Sequence, residues 1–562
     1  MSAKLNIVNT FENSTKKPIV FLVLIGLAGL FLRLVYFPYD VPLFNDAQGY
    51  FWYAIDMSIL KGFPPGHSIV NNGWPSFLSI IFQLMDSNNF LDYHNMQRFV
   101  GVVFSVATIF PVYLLCNRFF KKSYSLLGAA LISFEPKLLQ HSLLGLPESC
   151  YIFLIATLLC LYFSNDIKKI CLAFAVAGLL TLVRYEGLLI IIPISIMFFI
   201  RFRNNKKNLK KYFICIGIFI LIILPMAYIR NETMGEHHDG VVSHIIAGPQ
   251  YYQVAETMHG TTLGDLLYLG SVNLIKYVGW ALIPSFIIFI PLGIIFIFKK
   301  LDYKKSTIVF TIVVMLIPAF YAYSLEIREI KYLYVLYPVF CVLACFTFKI
   351  FLEKFHRKNL IFYMIIGGII LSSMIFVEWK SIDNEHYREA YEILVEIGQK
   401  EMKINKELGT YGGEFTFFSW VSLHNVDEFP ILKKELPPRK ITTIMSAEST
   451  RGWNEQLKQW NPDIGELELQ ESIDYHNTEI DNLRDYFQVL EKQKITHLLL
   501  DEINNSSLIN DELRLHLSDI FNHENKYPFL VKEYDSRENG FNYHVKLFKI
   551  DYDLYNEWIN EN

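Results

Sequence analysis

Residues 18–37 read PIVFLVLIGLAGLFLRLVYF, a run of twenty in which Arg33 is the one charged residue. A helix needs about 20 mainly apolar residues to cross the hydrocarbon core of a bilayer. The run is too long for a removable signal peptide and lacks the small-residue cleavage site of one. Runs of the same character recur at 97–119, 124–142, 149–164, 170–185, 186–201, 212–229, 273–298, 306–323, 331–350 and 359–377. The chain therefore reads as a polytopic α-helical membrane protein of about eleven spans. Only Arg184-Tyr185-Glu186-Gly187 separates the spans at 170–185 and 186–201, a short break for a hairpin.

The 562 residues are 52% hydrophobic and 19% charged, averages that conceal a split. Apolar runs dominate up to Val377; beyond it charge returns. This divides the chain into a membrane domain, 1–377, and a soluble domain, 378–562. A formal net charge of −4, with no basic stripe interleaved with aromatics, excludes a nucleic-acid partner. All seven cysteines fall in the apolar part, so the tail is not a disulfide scaffold. Cys341 and Cys345, one helical turn apart, read as small packing residues.

Orientation follows from the excess of Lys and Arg in cytoplasmic loops. With Lys4, Lys16 and Lys17 inside, the inner turns carry Arg118/Lys121/Lys122, Lys168/Lys169, the cluster Arg201 to Lys211, Lys299/Lys300/Lys304/Lys305 and Lys354/Arg357/Lys358. An odd number of spans then places the tail outside, together with the loops 38–95 and 230–271. The expected setting is a plasma membrane, with a cytoplasmic N-terminus and an extracytoplasmic C-terminal domain. In the first loop, Tyr50, Tyr53, Ala54, Met57 and Leu60 share one helical face, which suits a helix lying in the interface. Trp74 to Met85 is too short to span and reads the same way. In the tail, Tyr387–Lys400 has helical periodicity, and residues 501–525 look helical and polar. Lys440–Met445 and Ile495–Leu500 suit strands, and Phe529–Tyr534 with His544–Ile550 suits a hairpin around Arg537-Glu538-Asn539-Gly540. An α/β domain is expected there.

Charges at membrane depth are expensive, which makes them the first candidates for function. The outer helix ends collect Asp46, Glu148, Arg184, Glu186, Arg230, Glu326, Arg328, Glu329 and Lys331, whereas the inner ends carry simple basic clusters. Snorkelling or mutual pairing at the water boundary accounts for any one of them; their gathering on one side does not follow from it. Asp46, in Asn45-Asp46-Ala47-Gln48-Gly49-Tyr50, suits an ordinary helix cap. A carboxylate held at the membrane surface equally suits a general base toward a hydroxyl.

Asp46 in the first outer loop, Gly73-Trp74-Pro75, Glu135-Pro136 through Leu146-Pro147-Glu148, and Leu182-Val183-Arg184-Tyr185-Glu186-Gly187 together resemble the GT-C superfamily of membrane glycosyltransferases. Within it they are most similar to the protein mannosyltransferase and aminoarabinose transferase group. Arg328-Glu329-Ile330-Lys331-Tyr332-Leu333 to Pro338 is similar to a helix start found late in that membrane domain. The resemblance runs in order over about the first 350 residues. It implies a polyprenyl- or dolichyl-phosphate sugar as donor, a glycan, lipid or protein acceptor approaching from outside, and inversion with Asp46 as general base. The leaving lipid phosphate needs cations rather than a proton donor. Arg184, Arg328 and Lys331 are placed to supply them, with Arg230 as an alternative; Glu148 and Tyr50 complete the expected substrate-binding set.

Departures narrow this expectation. Ala47 follows Asp46 where protein mannosyltransferases carry a glutamate, which weighs against a protein hydroxyl acceptor. Trp74 precedes Pro75 where aminoarabinose transferases carry a lysine, a role left to Lys61 if it is filled at all. Arg451-Gly452-Trp453-Asn454 is not the Trp-Trp-Asp motif of oligosaccharyltransferases, so en bloc glycan transfer to asparagine is not expected. No cofactor is required. Glu236-His237-His238-Asp239, with His244 and His259, has spacing that permits two ligands of a divalent ion. Contact of that loop with donor phosphate or acceptor sugar is the simpler reading. The competing class is a transporter or lipid flippase, for which Glu135 and Lys137 are the only midplane ionisable residues; no repeat accompanies them.

Overall fold

The computed structural model describes residues 16–43, 46–63, 72–85, 87, 90–234, 263–299, 301–325, 327–354, 358–380, 388–390, 392–393, 396–397, 408–410, 441–443, 483–492, 497–502 and 511–561. Arg230 lies at the edge of this set, its backbone helical and its side chain outside. Seven helices among the described residues are long and apolar enough to cross a membrane: Lys17–Val35, Leu91–Cys116, Tyr185–Phe202, Lys206–Ile229, Tyr303–Ser324, Ile330–Glu353 and Leu360–Trp379. The remaining apolar runs form shorter or broken helices. The run 124–142 splits into Lys122–Ser133 and Pro136–His141. Its break has a local cause: Pro136 removes an N–H and drives Glu135 out of the helical region, to ψ 115°. The run 273–298 similarly divides into Leu263–Leu282 and Phe289–Phe298.

Side-chain contacts fix the direction of the helices. Arg184 meets Glu148 at the start of the Glu148–Tyr162 helix, and Arg201 donates to the Tyr162 and Ser164 carbonyls at its end, at 2.9 and 2.7 Å. Residues 185–202 therefore return antiparallel to Ile167–Val183, and the four-residue break is a true reversal. A glycine makes it possible. The Gly187 amide closes the turn on the Arg184 carbonyl at 2.9 Å, and a Cβ there would stand 2.9 Å from the Leu180 carbonyl. Apolar side chains such as Val20, Val23, Leu24, Leu27 and Phe31 on the first helix are exposed, a face suited to lipid.

The helix expected to lie flat in the interface is instead part of the interior. In Asp46–Leu60, Ala47, Gln48, Tyr50, Phe51, Tyr53, Ala54, Ile55, Met57 and Ser58 are all buried, so burial extends around the helix rather than along one face. The sequence shows the apolar residues but not the neighbours that cover them. The Gly73–Phe82 helix is one of these: Trp74, Leu78 and Phe82 point inward, while Phe77 and Ile80 remain exposed.

The tail contains the expected strands and one more. A five-stranded mixed sheet runs in the order β2-β1-β3-β5-β4, with β1 Leu408–Thr410, β2 Ile441–Thr443, β3 His497–Asp501, β4 Leu530–Asp535 and β5 Val545–Ile550. β2, β1 and β3 are parallel; β4 and β5 form the expected hairpin and β5 pairs antiparallel with β3. Two apolar clusters use the sheet. Phe487, Leu498, Leu500, Phe529, Phe548 and Tyr555 belong to one, while Ala390, Ile393 and Ile397 pack with Leu499, Tyr534, Val545 and Leu547 in the other. Alternate residues of β3 thus serve opposite clusters, as the period of two demands, and the result is an α/β domain.

Candidate active site

One end of the membrane bundle gathers the charged residues of its helix termini. Asp46 is the first residue of its helix and keeps 61% of its side chain exposed; its Oδ2 accepts from Lys331 Nζ at 2.7 Å. Lys331, 13% exposed, also pairs with Glu329 at 2.5 Å. Behind this pair lies a buried network. Glu148, 2% exposed, is held by Arg184 Nη1 through Oε1 and by His141 Nε2 through Oε2, the latter at 2.9 Å. The other edge of the guanidinium binds Glu186 side-on, Nη2 to Oε1 at 2.7 Å and Nε to Oε2 at 3.3 Å. Tyr332 places its ring 5.7 Å from the Arg184 guanidinium carbon, and Tyr334 packs on His141 at 4.8 Å. Lys331, Tyr332 and Tyr334 come from one short 3-10 stretch, Ile330–Leu336, which links the outer and inner parts of the site.

Of the residues expected from sequence, the structure brings together Asp46, Glu148, Arg184 and Lys331. Buried Tyr50 lies within electrostatic reach of Arg184. Arg328 is at the same end but exposed. Glu326, His237, His238, Asp239, His244, His259 and Arg451–Asn454 lie outside the described residues, so the proposed divalent-ion ligands have no structural account. Among the described residues no cluster of three His, Cys, Asp or Glu is arranged to hold a metal ion.

Sequence reading missed the groups that hold the Asp46 segment. His94, Gln97 and Arg98 form a polar row, spaced i, i+3, i+4, at the start of the Phe90–Ala107 helix. His94 Nδ1 accepts from the Leu43 amide at 2.8 Å, and Arg98 donates to the Val41 and Pro42 carbonyls at 2.6 and 2.7 Å. Gln97 Nε2 donates to the carbonyls of Ala47 at 2.9 Å and Gly145 at 2.8 Å. It thus ties the residue after Asp46 to the turn before Glu148. Gly145 adopts φ +77°, a left-handed conformation that glycine takes without steric cost, and a Cβ there would stand 2.9 Å from Leu43. Trp74 Nε1 reaches the same Gly145 carbonyl at 3.3 Å. The row was legible as three polar residues on one face of an apolar run. Its targets are main-chain carbonyls, which no sequence motif marks.

His141 and Tyr151 were missed as well. The Tyr151 hydroxyl is buried, has no hydrogen-bond partner among the described residues, and lies within electrostatic reach of Glu186, Arg184 and Glu148. Glu135 and Lys137 form a separate buried pair at 4.0 Å. Lys137 is locked in place: it donates to the Ile283 carbonyl and sits over the rings of Trp280 and Phe376 at 4.9 and 4.6 Å.

Chemically, the site offers two solvent-facing carboxylates, Asp46 and Glu329, a lysine bound to both, and a buried arginine behind them. That arrangement suits a reaction in which a proton is accepted at the mouth while negative charge develops toward the cations.

Comparisons with known proteins agree with this architecture. Residues 76–229 match the model of the dolichyl-phosphate-mannose-protein mannosyltransferase family. No curated protein matches the chain. Among solved structures, the archaeal oligosaccharyltransferase AglB from Archaeoglobus fulgidus, in complex with an inhibitory peptide and a dolichol-phosphate, is similar with a TM-score of 0.54 at 13% identity, over 94% of this chain and 74% of the other. ArnT from Cupriavidus metallidurans, bound to undecaprenyl phosphate, is similar with a TM-score of 0.59 at 10% identity, over 95% of this chain and 98% of the other. Residues 76–229 thus match a mannosyltransferase family model, and the chain as a whole shares the fold of the AglB and ArnT structures.

Proposed function

We propose that this protein transfers a sugar from a polyprenyl- or dolichyl-phosphate donor to an acceptor hydroxyl on the non-cytoplasmic side of the membrane, inverting the anomeric carbon. The observation that carries the reading is the pairing of Asp46 with Lys331 at 2.7 Å, with Asp46 open to solvent and Arg184 buried behind. As the acceptor oxygen attacks, Asp46 takes its proton. The bond from the anomeric carbon to phosphate oxygen breaks, leaving charge on the lipid phosphate, and Lys331, Arg184 and Arg328 are the cations at this end that can receive it. A planar guanidinium suits phosphate oxygens, and a lysine acts as a mobile point charge. Lipid phosphates in the solved ArnT and AglB structures support this donor class. No cofactor enters the reaction as proposed.

The test is Asp46→Asn in membranes supplied with polyprenyl-phosphate sugars. Transfer falls by about 10²- to 10⁴-fold, the usual span for a general base. Undiminished transfer by that variant removes the base from the mechanism. The fixed position of Lys137, bound to a carbonyl and two rings, favours this reading over a carrier whose intramembrane charges must move.

A further inference from the structure

Arg184 already gives three of its five N–H groups to carboxylates, Nη1 to Glu148 and both Nη2 and Nε to Glu186. Lys331 is likewise shared between Asp46 and Glu329. Four carboxylates thus bind two cations, and a donor phosphate brings further negative charge. An anion entering such a site must either displace a carboxylate or find additional positive charge nearby.

His141 is the titratable group placed to supply it. Its Nε2 contacts the Glu148 oxygen that Arg184 does not use. Tyr334 covers one side of the ring, and Ser105, Thr108 and Ser149 line a small cavity beside it. Arg184 reaches Glu148 from the turn at 184–187, and Lys331 lies within electrostatic reach of the same carboxylate. The short Pro136–His141 helix that carries the ring is tied to its neighbours by Gln140, which donates to the Lys380 carbonyl at 2.7 Å, and by Lys137, which donates to the Ile283 carbonyl.

We infer that His141 is a positioning residue whose protonation takes over Glu148 and releases Arg184 to bind the donor phosphate. The inference rests on the glycosyl-transfer reading and names what regulates its donor site. As an imidazole, His141 donates one neutral hydrogen bond and Glu148 still claims Arg184. As an imidazolium it neutralises Glu148, and the guanidinium edge facing that carboxylate becomes available. Proton uptake and phosphate binding are then linked, so each favours the other.

The experiment is equilibrium binding of undecaprenyl phosphate to the purified full-length protein in detergent, from about pH 5 to about pH 8. Wild-type affinity is expected to fall on the order of tenfold from the acid end of that range to the basic end. The lipid phosphate's own second ionisation is common to every variant, so differences between profiles report the side chain. His141→Gln binds weakly across the range. His141→Lys, which stays charged, binds tightly at both ends with the pH step removed. Thermal unfolding of both variants identifies a protein that has not folded, and the lysine variant keeps the comparison informative if glutamine is not tolerated. Identical profiles in wild type and both variants overturn the inference while leaving glycosyl transfer standing. A wild-type protein that binds no lipid phosphate at any pH overturns both.

Discussion

The two ends of the membrane bundle solve the same problem differently. At the end away from the site, cations go to main-chain carbonyls: Arg201 to those of Tyr162 and Ser164, Lys304 to that of Arg118 at 3.2 Å. These are carbonyls at or just beyond helix C-termini, which carry partial negative charge and lack intrahelical partners. At the site end Arg184 and Lys331 are each matched with two carboxylates, and part of that network is buried. Capping a helix does not call for such an arrangement. Binding an anion that arrives and leaves does, because a carboxylate can hold the cation in place while the anion is absent.

The sharpest way to break this contrast is Arg184→Met. It leaves Glu148 and Glu186 buried without their shared guanidinium, and removing one partner of a buried ion pair costs about 3–5 kcal/mol. Unfolding of the purified protein is expected to shift by that amount, and lipid-phosphate binding to be lost with it. The double variant Arg184→Met/Glu148→Gln removes one of the stranded charges and is expected to recover part of the stability but none of the binding. Recovery of both would mean that the network serves folding alone.

Gln97→Leu sharpens the comparison on its positional side. The Gln97 amide joins the Ala47 and Gly145 carbonyls, so it registers Asp46 against Glu148 without touching either carboxylate. Leucine keeps the bulk and removes both bonds. A shift of about 1 Å in a reacting group costs as much as 10²-fold. The turnover rate is therefore expected to fall about ten- to a hundredfold, with lipid-phosphate affinity little changed. An equal loss in both quantities would assign Gln97 to the donor site rather than to the base.

The apolar runs made the membrane architecture legible, because a bilayer imposes a length on every crossing helix. The gathering of Asp46, Glu148, Arg184 and Lys331 was legible for a related reason: alternating helix directions bring every second terminus to one surface. Partners were less so. That Glu148 and Glu186 bind Arg184, rather than leaving it open, depends on side-chain packing across three helices. The helix at 46–60 was misread because its apolar residues alone do not distinguish lipid from protein as the covering medium. Strand β1 escaped notice because three residues, Leu408–Thr410, are too few to show alternation.

Arg201→Gln tests the quiet end. Two carbonyl contacts and a ring contact with Tyr303 at 4.9 Å are lost. A typical hydrogen bond contributes about 0.5–1.5 kcal/mol net and a charge-assisted one about 1.5–3. Glutamine can recover one carbonyl contact, so the expected loss of stability is about 1–2 kcal/mol, well below that of Arg184→Met. Lipid-phosphate binding and sugar transfer are expected to match wild type, since Arg201 lies at the far end of the Glu148–Tyr162 helix, about 20 Å away at 1.5 Å per residue. A measurable change in transfer at equal stability would mean that the two ends are coupled through that helix, and that charge at the quiet end is also part of the working site.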